Sequence, residues 1–262
     1  MSVLDTTPDW RPCAVLVIPT YNERENLEPL VSRVLDALPD AHLLIVDDNS
    51  PDGTGHLADE FAVKDPAHLS VLHRPRKEGL GAAYVAGYVH ALRQWPQVPF
   101  FIQMDADLSH DPAYLSGLLQ QAQTADLVVA SRYVHGISIV NWPLHRLIVS
   151  KFGTVFARLC TGMPLTDCTS GFKCYRAEVL RNLHLDTIRS NGYVFQIETS
   201  FRAWRAGYRL RDFPIIFYER RFGESKLHLN IALEAFAVVL RLGLERLLTR
   251  NRGSHVDNAD TR

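Results

Sequence analysis

The stretch AVLVIPTYNERENLEPLVSRVLDALPDAHLLIVDD, residues 14–48, contains two apolar runs separated by a helical pattern. Residues 14–18 and 43–46 are each continuously apolar, which is typical of buried strands. Between them, apolar side chains recur at the three- and four-residue spacing of a helix face: Leu27, Leu30, Val31, Val34, Leu35 and Leu38. A strand, a helix and a second buried strand in this order predict a parallel pair joined by a crossover helix.

The same alternation continues through the first 130 residues. Further buried strands are predicted at residues 69–72, 100–104 and 127–130, and the alanine-rich residues 79–92 are predicted to be helical. The pair Asp111-Pro112 is typical of a helix start, with an N-cap followed by proline in the first turn. The predicted fold class is therefore α/β, with a mostly parallel central sheet flanked by helices.

The pattern loosens after residue 130. Helices are predicted at residues 141–163, 193–206 and 228–250, and extended chain at 171–176 and 210–218. The predicted organisation is an N-terminal extension at 1–12, a main domain at 13–228, an amphipathic helix at 229–250 and a disordered tail at 251–262.

The C-terminal helix carries apolar residues on one broad face, but its charged residues argue against a membrane-spanning role. These charges are Glu234, Arg241, Glu245 and Arg246. Three placements remain open for this helix: on the bilayer surface, against a partner, or against the sheet.

Charge is distributed unevenly along the chain, although the net charge is only −1. Residues 1–130 contain 8 Lys/Arg and 18 Asp/Glu, whereas residues 131–262 contain 20 and 11. An acidic half favours a metal site, and a basic half favours phosphates or an anionic membrane surface; two differently solvated surfaces would give the same counts. The overall balance argues against a nucleic-acid-binding protein.

Targeting signals are not evident in the sequence. The first twelve residues lack the basic and apolar regions of a signal peptide, and no uncharged apolar stretch reaches the ~20 residues of a spanning helix. The four cysteines lack metal-ligand spacing, which favours reduced thiols. The expected location is the cytoplasm.

Acidic residues follow three of the predicted strands. Glu23 follows the first, Asp47 and Asp48 follow the second, and Asp105 and Asp107 follow the fourth. Because ligands of such sheets bind beyond the carboxyl ends of the strands, these carboxylates are expected to share one crevice. Oxygen ligands of this kind suit Mg²⁺ or Mn²⁺ held jointly with substrate phosphates.

Seven ordered motifs resemble a known family. Three resemble family 2 glycosyltransferases with the GT-A fold: PTYNE at 19–23, VDDNS at 46–50 and DADLSH at 105–110. Four more resemble the polyprenol (dolichol) phosphate mannose synthases of that family: ASRY at 130–133, DCTSGF at 167–172, GYVFQIE at 192–198 and FGESK at 222–226. The resemblance spans about residues 14–228 and implies that this region is a GT-A domain.

The resemblance implies roles for the donor-side residues. It implies a base and ribose pocket lined by Pro19, Tyr21, Glu23, Val46 and Asp48. It implies nucleotide contacts from Asp105 and Ala106, and Asp107 as the principal ligand of Mg²⁺ or Mn²⁺, with Asp105 and Ser109 as further candidate ligands. The family often has glutamine where this chain has Ser109. A loop bearing Arg220, Ser225 and Lys226 is implied to close over the diphosphate.

On the acceptor side, the resemblance implies that Arg132, Arg146 and Ser150 hold a lipid phosphate. Arg146 and Ser150 are four residues apart on a predicted helix and therefore share a face, where a guanidinium and a hydroxyl suit a phosphate. Structural ion pairs would also account for the arginines. The residues expected to carry catalysis are Asp105, Asp107, Arg132, Arg220 and Lys226.

No convincing general base is evident: Asp167 is a candidate, and His110 is interpreted as a loop residue. A sugar hydroxyl acceptor would need such a base, whereas a phosphate monoester is already a nucleophilic anion near neutral pH. The missing base therefore supports a lipid phosphate acceptor, and the resemblance implies the favoured function: inverting transfer of mannose from GDP-mannose to polyprenyl (dolichyl) phosphate.

Two alternatives stay open: the same reaction with another donor such as UDP-glucose, and a non-catalytic nucleotide-binding scaffold. The lipid acceptor implies work at the cytoplasmic face of the membrane, as a peripheral protein or with a separate membrane-anchoring protein.

Overall fold

The computed structural model describes residues 13–140, 142–218 and 229–253, without the side chains of residues 145, 229–235 and 249–253. The predicted extension at residues 1–12 lies outside the described residues. So do the predicted diphosphate-capping residues Arg220, Ser225 and Lys226, and the chain beyond residue 253.

Nine strands and eight helices make up the described part of the chain, with short 3₁₀ turns at Pro112–Tyr114 and Leu185–Thr187. The strands are β1 (Ala14–Thr20), β2 (Ala41–Asp47), β3 (Leu69–His73), β4 (Phe100–Gln103), β5 (Leu127–Ser131), β6 (Ile139–Val140), β7 (Lys173–Arg176), β8 (Leu210–Pro214) and β9 (Phe217–Tyr218). The helices are α1 (Arg24–Ala37), α2 (Thr54–Lys64), α3 (Leu80–Gln94), α4 (Leu115–Ala122), α5 (Leu144–Thr161), α6 (Ala177–Asn182), α7 (Gly192–Arg205) and α8 (Leu229–Gly253).

The central sheet has seven strands in the order β3-β2-β1-β4-β7-β5-β8. Only β7 is antiparallel to its neighbours, β4 and β5, and the other pairs in this sheet are parallel. The predicted α/β fold with a mostly parallel sheet is confirmed. Because β2, β1 and β4 are adjacent and parallel, their carboxyl ends meet at one edge, where the acidic motifs lie.

The predicted single strand at residues 210–218 is wrong. The structure divides it into β8, which pairs with β5, and β9, which pairs with β6 in a separate two-stranded sheet. Pro214 ends β8, and proline has no amide hydrogen with which to continue a ladder. The break turns β9 towards the site, because Phe217 lines the cavity described below.

The core lies on both faces of the sheet, as continuously apolar strands predict. In β1, Val15 and Val17 belong to one buried cluster, and Leu16 and Ile18 belong to the other. Successive side chains of a strand point to opposite faces, so one apolar run serves both layers. Burial of both faces fixes the strand register and holds the loops at the sheet edge in place.

Helix α8 packs against α5 and α7. Its residues Val239 and Leu242 are buried, and the ring of Phe236 stacks on Phe156 of α5 with centroids 4.7 Å apart. Within the part of the chain that the structure describes, no helix is both long enough and apolar enough to cross a membrane.

Candidate active site

The loop after β4 holds Asp107 in a fixed orientation. Its Oδ1 accepts hydrogen bonds from the backbone N–H of Ser109 at 3.1 Å and from the Ser109 hydroxyl at 2.6 Å. Leu108 between them has a φ of 59°, a left-handed conformation that closes the turn. Ser109, predicted as a candidate metal ligand, therefore uses its hydroxyl proton to orient Asp107.

Asp105, at the start of the same loop, is held by a tyrosine of α3 and by a histidine of its own loop. Its Oδ1 accepts a 2.6 Å hydrogen bond from the hydroxyl of Tyr84 on α3. Its backbone N–H donates to Nδ1 of His110 at 3.0 Å, and the His110 ring stacks on Phe172 with centroids 4.9 Å apart. His110 lies in a loop, as predicted from the sequence, and its contacts show that it helps to fix the conformation of that loop.

A cavity of about 320 Å³ opens beside this loop. The predicted site residues that line it are Asp105, Asp107, Ser109, Arg132 and Arg146. Its other walls come from loops and from α3 and α7: Leu80, His110, Trp142, Thr169, Ser170, Gly171, Gly192, Tyr193, Gln196 and Phe217. The structure therefore brings together carboxylates from the end of β4 and arginines from the basic half of the chain.

Arg132 forms a buried bidentate ion pair with Asp167. Its Nε and Nη2 donate to the two carboxylate oxygens at 2.6 and 2.8 Å, and Nη2 also donates to Thr169 Oγ1 at 2.8 Å. Burial opposes both charges, yet the Arg132 charge and its hydrogen bonds hold the pKa of Asp167 below its usual value. Burial likewise lowers the pKa of Arg132, but the Asp167 charge and its hydrogen bonds together with nearby tyrosines outweigh burial and raise that pKa.

This pairing argues against Asp167 as a general base. Both of its oxygens already accept hydrogen bonds from Arg132, and its side chain is fully buried. A carboxylate with a lowered pKa is a poor proton acceptor. The role that the geometry supports for Asp167 is to fix the guanidinium of Arg132 at the cavity wall.

The predicted acceptor pair on α5 divides into two environments. The guanidinium of Arg146 lies 4.1 Å from the ring centroid of Trp142, and both residues line the cavity. Ser150 is one turn further along and accepts a 2.9 Å hydrogen bond from the hydroxyl of Tyr133. Ser150 is not among the residues that line the cavity, so the structure brings Arg146 but not Ser150 to it.

The residues predicted to form the base and ribose pocket follow or end β1 and β2, where Pro19 and Val46 are register partners. Tyr21 has the Nζ of Lys77 3.6 Å above its ring centroid. Glu23 accepts a 2.7 Å hydrogen bond from Asn26, and its backbone N–H donates to Thr54. None of the five residues predicted for this pocket is among those that line the cavity.

The carboxylates that follow β2 have hydrogen-bond and ion-pair partners of their own, and the expectation that they share one crevice with Asp105 and Asp107 stays a prediction. Asp47 accepts hydrogen bonds from Thr20 and Ser50, and Asp48 forms a buried ion pair with Arg74. Neighbouring side chains therefore already pair with these two carboxylates, whereas Asp105 and Asp107 line the cavity. Accordingly, the described residues contain no group of three or more His, Cys, Asp or Glu side chains that could hold a metal.

Several residues of the site were missed in the sequence. They are Arg74, Lys77, Tyr84, Trp142, Thr169 and Gln196. Arg74 and Lys77 follow β3, and the basic cluster at residues 74–77 could have been read as a further loop at the same sheet edge. Tyr84 lies in an apolar helical pattern that gives no sign of a functional hydroxyl.

Comparison with known proteins identifies the family. The model of glycosyl transferase family 2 matches residues 15–183. Polyprenol monophosphomannose synthase of Mycolicibacterium smegmatis is 46% identical over 240 residues, which cover 91% of this chain and 90% of that protein. Undecaprenyl-phosphate mannosyltransferase of Micrococcus luteus is 47% identical over 228 residues, covering 87% and 93%.

Among solved structures, a mannosyltransferase of Pyrobaculum calidifontis in complex with GDP-Man and Mn²⁺ has a TM-score of 0.55 and 15% identity, covering 94% of this chain and 76% of that one. That likeness supports the fold. The resemblance inferred from the motifs is confirmed by the family match and by relatives that are nearly half identical over almost their whole length. This chain is a glycosyltransferase that belongs to glycosyl transferase family 2.

Proposed function

We propose that this enzyme transfers mannose from GDP-mannose to a polyprenyl (dolichyl) phosphate, with inversion at the anomeric carbon. The observation that supports the proposal is that the same cavity is lined by Asp105 and Asp107 and by Arg132 and Arg146. Carboxylates suit a metal-bound diphosphate, and guanidinium groups suit a second phosphate. The relatives named for polyprenol and undecaprenyl phosphates support the same acceptor class.

The donor groups at the sheet edge fit a divalent cation. Asp105, Asp107 and Ser109 offer only hard oxygen atoms, the ligand type of Mg²⁺ and Mn²⁺. Two carboxylates make an incomplete set, which fits an ion that completes its shell with water and substrate phosphate oxygens. When bound, such an ion neutralises the negative charge that develops on the departing diphosphate.

A phosphate acceptor needs no general base, and the role left to Arg132 and Arg146 is to bind it. The acceptor phosphate carries its own nucleophilic oxygen at neutral pH, so the enzyme must bind, orient and partly neutralise it. That oxygen forms the new bond to the anomeric carbon as the bond to the GDP oxygen breaks. Attack from the opposite face converts an α-linked donor into a β-linked mannosyl phosphate.

A matrix of donors and acceptors tests the proposal. GDP-mannose, UDP-glucose and UDP-N-acetylglucosamine are each offered with a short polyprenyl phosphate and with the matching free polyprenol, with and without Mn²⁺. We expect transfer from GDP-mannose to the phosphate alone, with a β product. Efficient transfer from UDP-glucose would support the alternative donor, and no transfer from any donor would support the nucleotide-binding scaffold.

A continuous apolar surface supports work at the membrane. On α5, exposed apolar side chains recur along one face: Leu144, Ile148, Phe152, Val155 and Leu159. On α8, a second exposed face lies alongside and comprises Phe236, Leu240, Leu244, Leu247 and Leu248. Arg158 and Arg241, both exposed, flank these faces. Apolar faces edged by basic side chains suit the interface of an anionic bilayer.

We therefore predict that Leu244→Gln combined with Leu248→Gln weakens binding to vesicles of phosphatidylcholine and phosphatidylglycerol by at least about tenfold, because both leucines lose apolar burial in the bilayer. Vesicle co-sedimentation measures the change. Val63→Gln is the control, since Val63 is an exposed apolar residue of α2, which packs on the other face of the sheet. Equal binding by both variants would contradict an interfacial α8 and would favour a separate membrane-anchoring protein.

Arg146→Ala should raise the KM for the polyprenyl phosphate roughly tenfold to a hundredfold, because a charged hydrogen bond to phosphate contributes about 1.5–3 kcal/mol. The KM for GDP-mannose should change less than about twofold, since the predicted donor contacts come from the loop after β4 and from the ends of β1 and β2 rather than from α5. Arg93→Ala is the control, an exposed arginine in the last turn of α3 that does not line the cavity. Equal losses for donor and acceptor would rule out a phosphate role for Arg146.

A further inference from the structure

Tyr84 is a buried tyrosine that touches the site through one atom. It lies in the second turn of α3, its side chain is fully buried, and its hydroxyl donates to Asp105 Oδ1 at 2.6 Å. That distance is typical of a charge-assisted bond from a hydroxyl to a carboxylate.

The ring of Tyr84 is held rigidly by its neighbours. It stacks on Phe195 of α7 with centroids 5.8 Å apart and planes only 3° from parallel, and its centroid lies 6.0 Å from that of Tyr88. The start of α3 is also pressed against the chain before α7, because a Cβ on Gly81 would lie 2.2 Å from the carbonyl oxygen of Ser190. The hydroxyl is thus fixed relative to both helices.

The other oxygen of Asp105 is directed towards the cavity wall. Oδ2 lies 3.4 Å from the place that a Cβ on Gly171 would take, and the Gln196 amide nitrogen lies at the same distance from that place. Gly171 and Gln196 both line the cavity. Fixing Oδ1 on Tyr84 therefore selects which face of the carboxylate is presented to a ligand.

We infer that Tyr84 is a positioning residue, which acts through Asp105 to hold this carboxylate ready for the divalent cation of the donor diphosphate. The inference rests on the proposed function and extends it to a residue outside the ligand set. Asp107 is held by Ser109 of its own loop, whereas Oδ1 of Asp105 is held from α3, and Nε2 of His110 lies 3.9 Å from its Oδ2. The geometry of the pair therefore depends on how α3 packs against the end of β4.

The test compares Tyr84→Phe with Tyr88→Phe. Tyr88 lies one turn later on α3, is equally buried, and donates its hydroxyl to Gln103 Oε1 at 2.8 Å rather than to a carboxylate. Each substitution removes one oxygen atom and keeps the ring. In the presence of GDP, we expect Tyr84→Phe to raise the Mn²⁺ dissociation constant about tenfold to a hundredfold, the range for loss of a partner that orients a ligand. Tyr88→Phe should change it less than about twofold.

Electron paramagnetic resonance of free Mn²⁺ gives this constant without turnover, and thermal melting confirms that each variant is folded. A double-mutant cycle adds Asp105→Asn to Tyr84→Phe. If Tyr84 acts through Asp105, Tyr84→Phe adds little to the loss already caused by Asp105→Asn. Additive losses, or equal affinity in the two tyrosine variants, would overturn the inference while wild-type Mn²⁺ binding still supported the proposed function.

Phe195→Leu gives a second route should Tyr84→Phe not fold. It removes the ring on which Tyr84 stacks but keeps the hydroxyl, and it should weaken Mn²⁺ binding in the same direction by a smaller factor. Unchanged Mn²⁺ affinity in this variant would count against the inference. If the wild-type enzyme with GDP binds no Mn²⁺, the inference and the proposed metal site both fail.

Discussion

Asp107→Asn should reduce kcat for mannosyl transfer by about a thousandfold or more and leave the protein folded. Asparagine keeps a carbonyl oxygen that can accept the same two hydrogen bonds from Ser109, so the loop retains its shape. It loses the negative charge and replaces the second oxygen with an amide group that cannot ligate a cation. A metal contribution of several kcal/mol to the transition state corresponds to a rate factor of about this size.

Initial rates across a Mn²⁺ titration measure the effect, with thermal melting as the check on folding. Asp111→Asn is the matched control, because Asp111 belongs to the same loop but caps the following turn through Ala113 and pairs with Arg33. Asparagine is an equally good cap, so this variant should keep nearly full activity. Appreciable turnover of Asp107→Asn at saturating Mn²⁺ would refute the assignment of Asp107 as a metal ligand.

Asp167→Ala should lower the free energy of unfolding by about 3–5 kcal/mol, because it leaves the buried guanidinium of Arg132 without its partner charge. The pair is largely buried: Asp167 is fully buried, and the Arg132 side chain is 6% exposed where it lines the cavity. Urea denaturation at neutral pH measures the loss. The paired control is Asp59→Ala, whose carboxylate meets His73 in a half-exposed contact and should contribute less than about 1 kcal/mol.

A second variant separates the ion pair from the protein packing around it. Asp167→Ala combined with Arg132→Met removes both charges and should recover much of the lost stability, although transfer activity should stay low. A loss below about 1 kcal/mol in Asp167→Ala would mean that water or another carboxylate reaches Arg132. That result would contradict the buried geometry at the cavity wall.

The fold was largely predictable because its strands are unbroken apolar runs. Those of β1 and β2, with the helical leucine pattern between them, determine a parallel pair whatever the rest of the chain does. The antiparallel direction of β7 was not predictable, since residues 171–176 carry an extended pattern without any sign of direction. The division of residues 210–218 depends on pairing with β5 and β6, which are distant in sequence.

The site was predictable only where chemistry and position coincide. Asp105 and Asp107 follow an apolar strand, so the spacing alone places them at the sheet edge. The partners of Asp47 and Asp48 depend on which side chains lie near them in the folded chain, and sequence spacing does not encode that. The ion pair of Arg132 with Asp167 joins residues 35 apart in sequence, and no local sequence pattern indicates it.

Helix α5 carries Arg146 at the cavity and Phe152 and Leu159 on its exposed face. If that face rests on the bilayer, helix α5 fixes the distance between the active site and the lipid surface. The enzyme then meets its acceptor by diffusion in two dimensions. The rate should then follow the mole fraction of polyprenyl phosphate among the lipids rather than its bulk concentration. Diluting the acceptor with inert lipid at constant total acceptor would slow the enzyme, and one bound molecule could serve many acceptors before it leaves the surface.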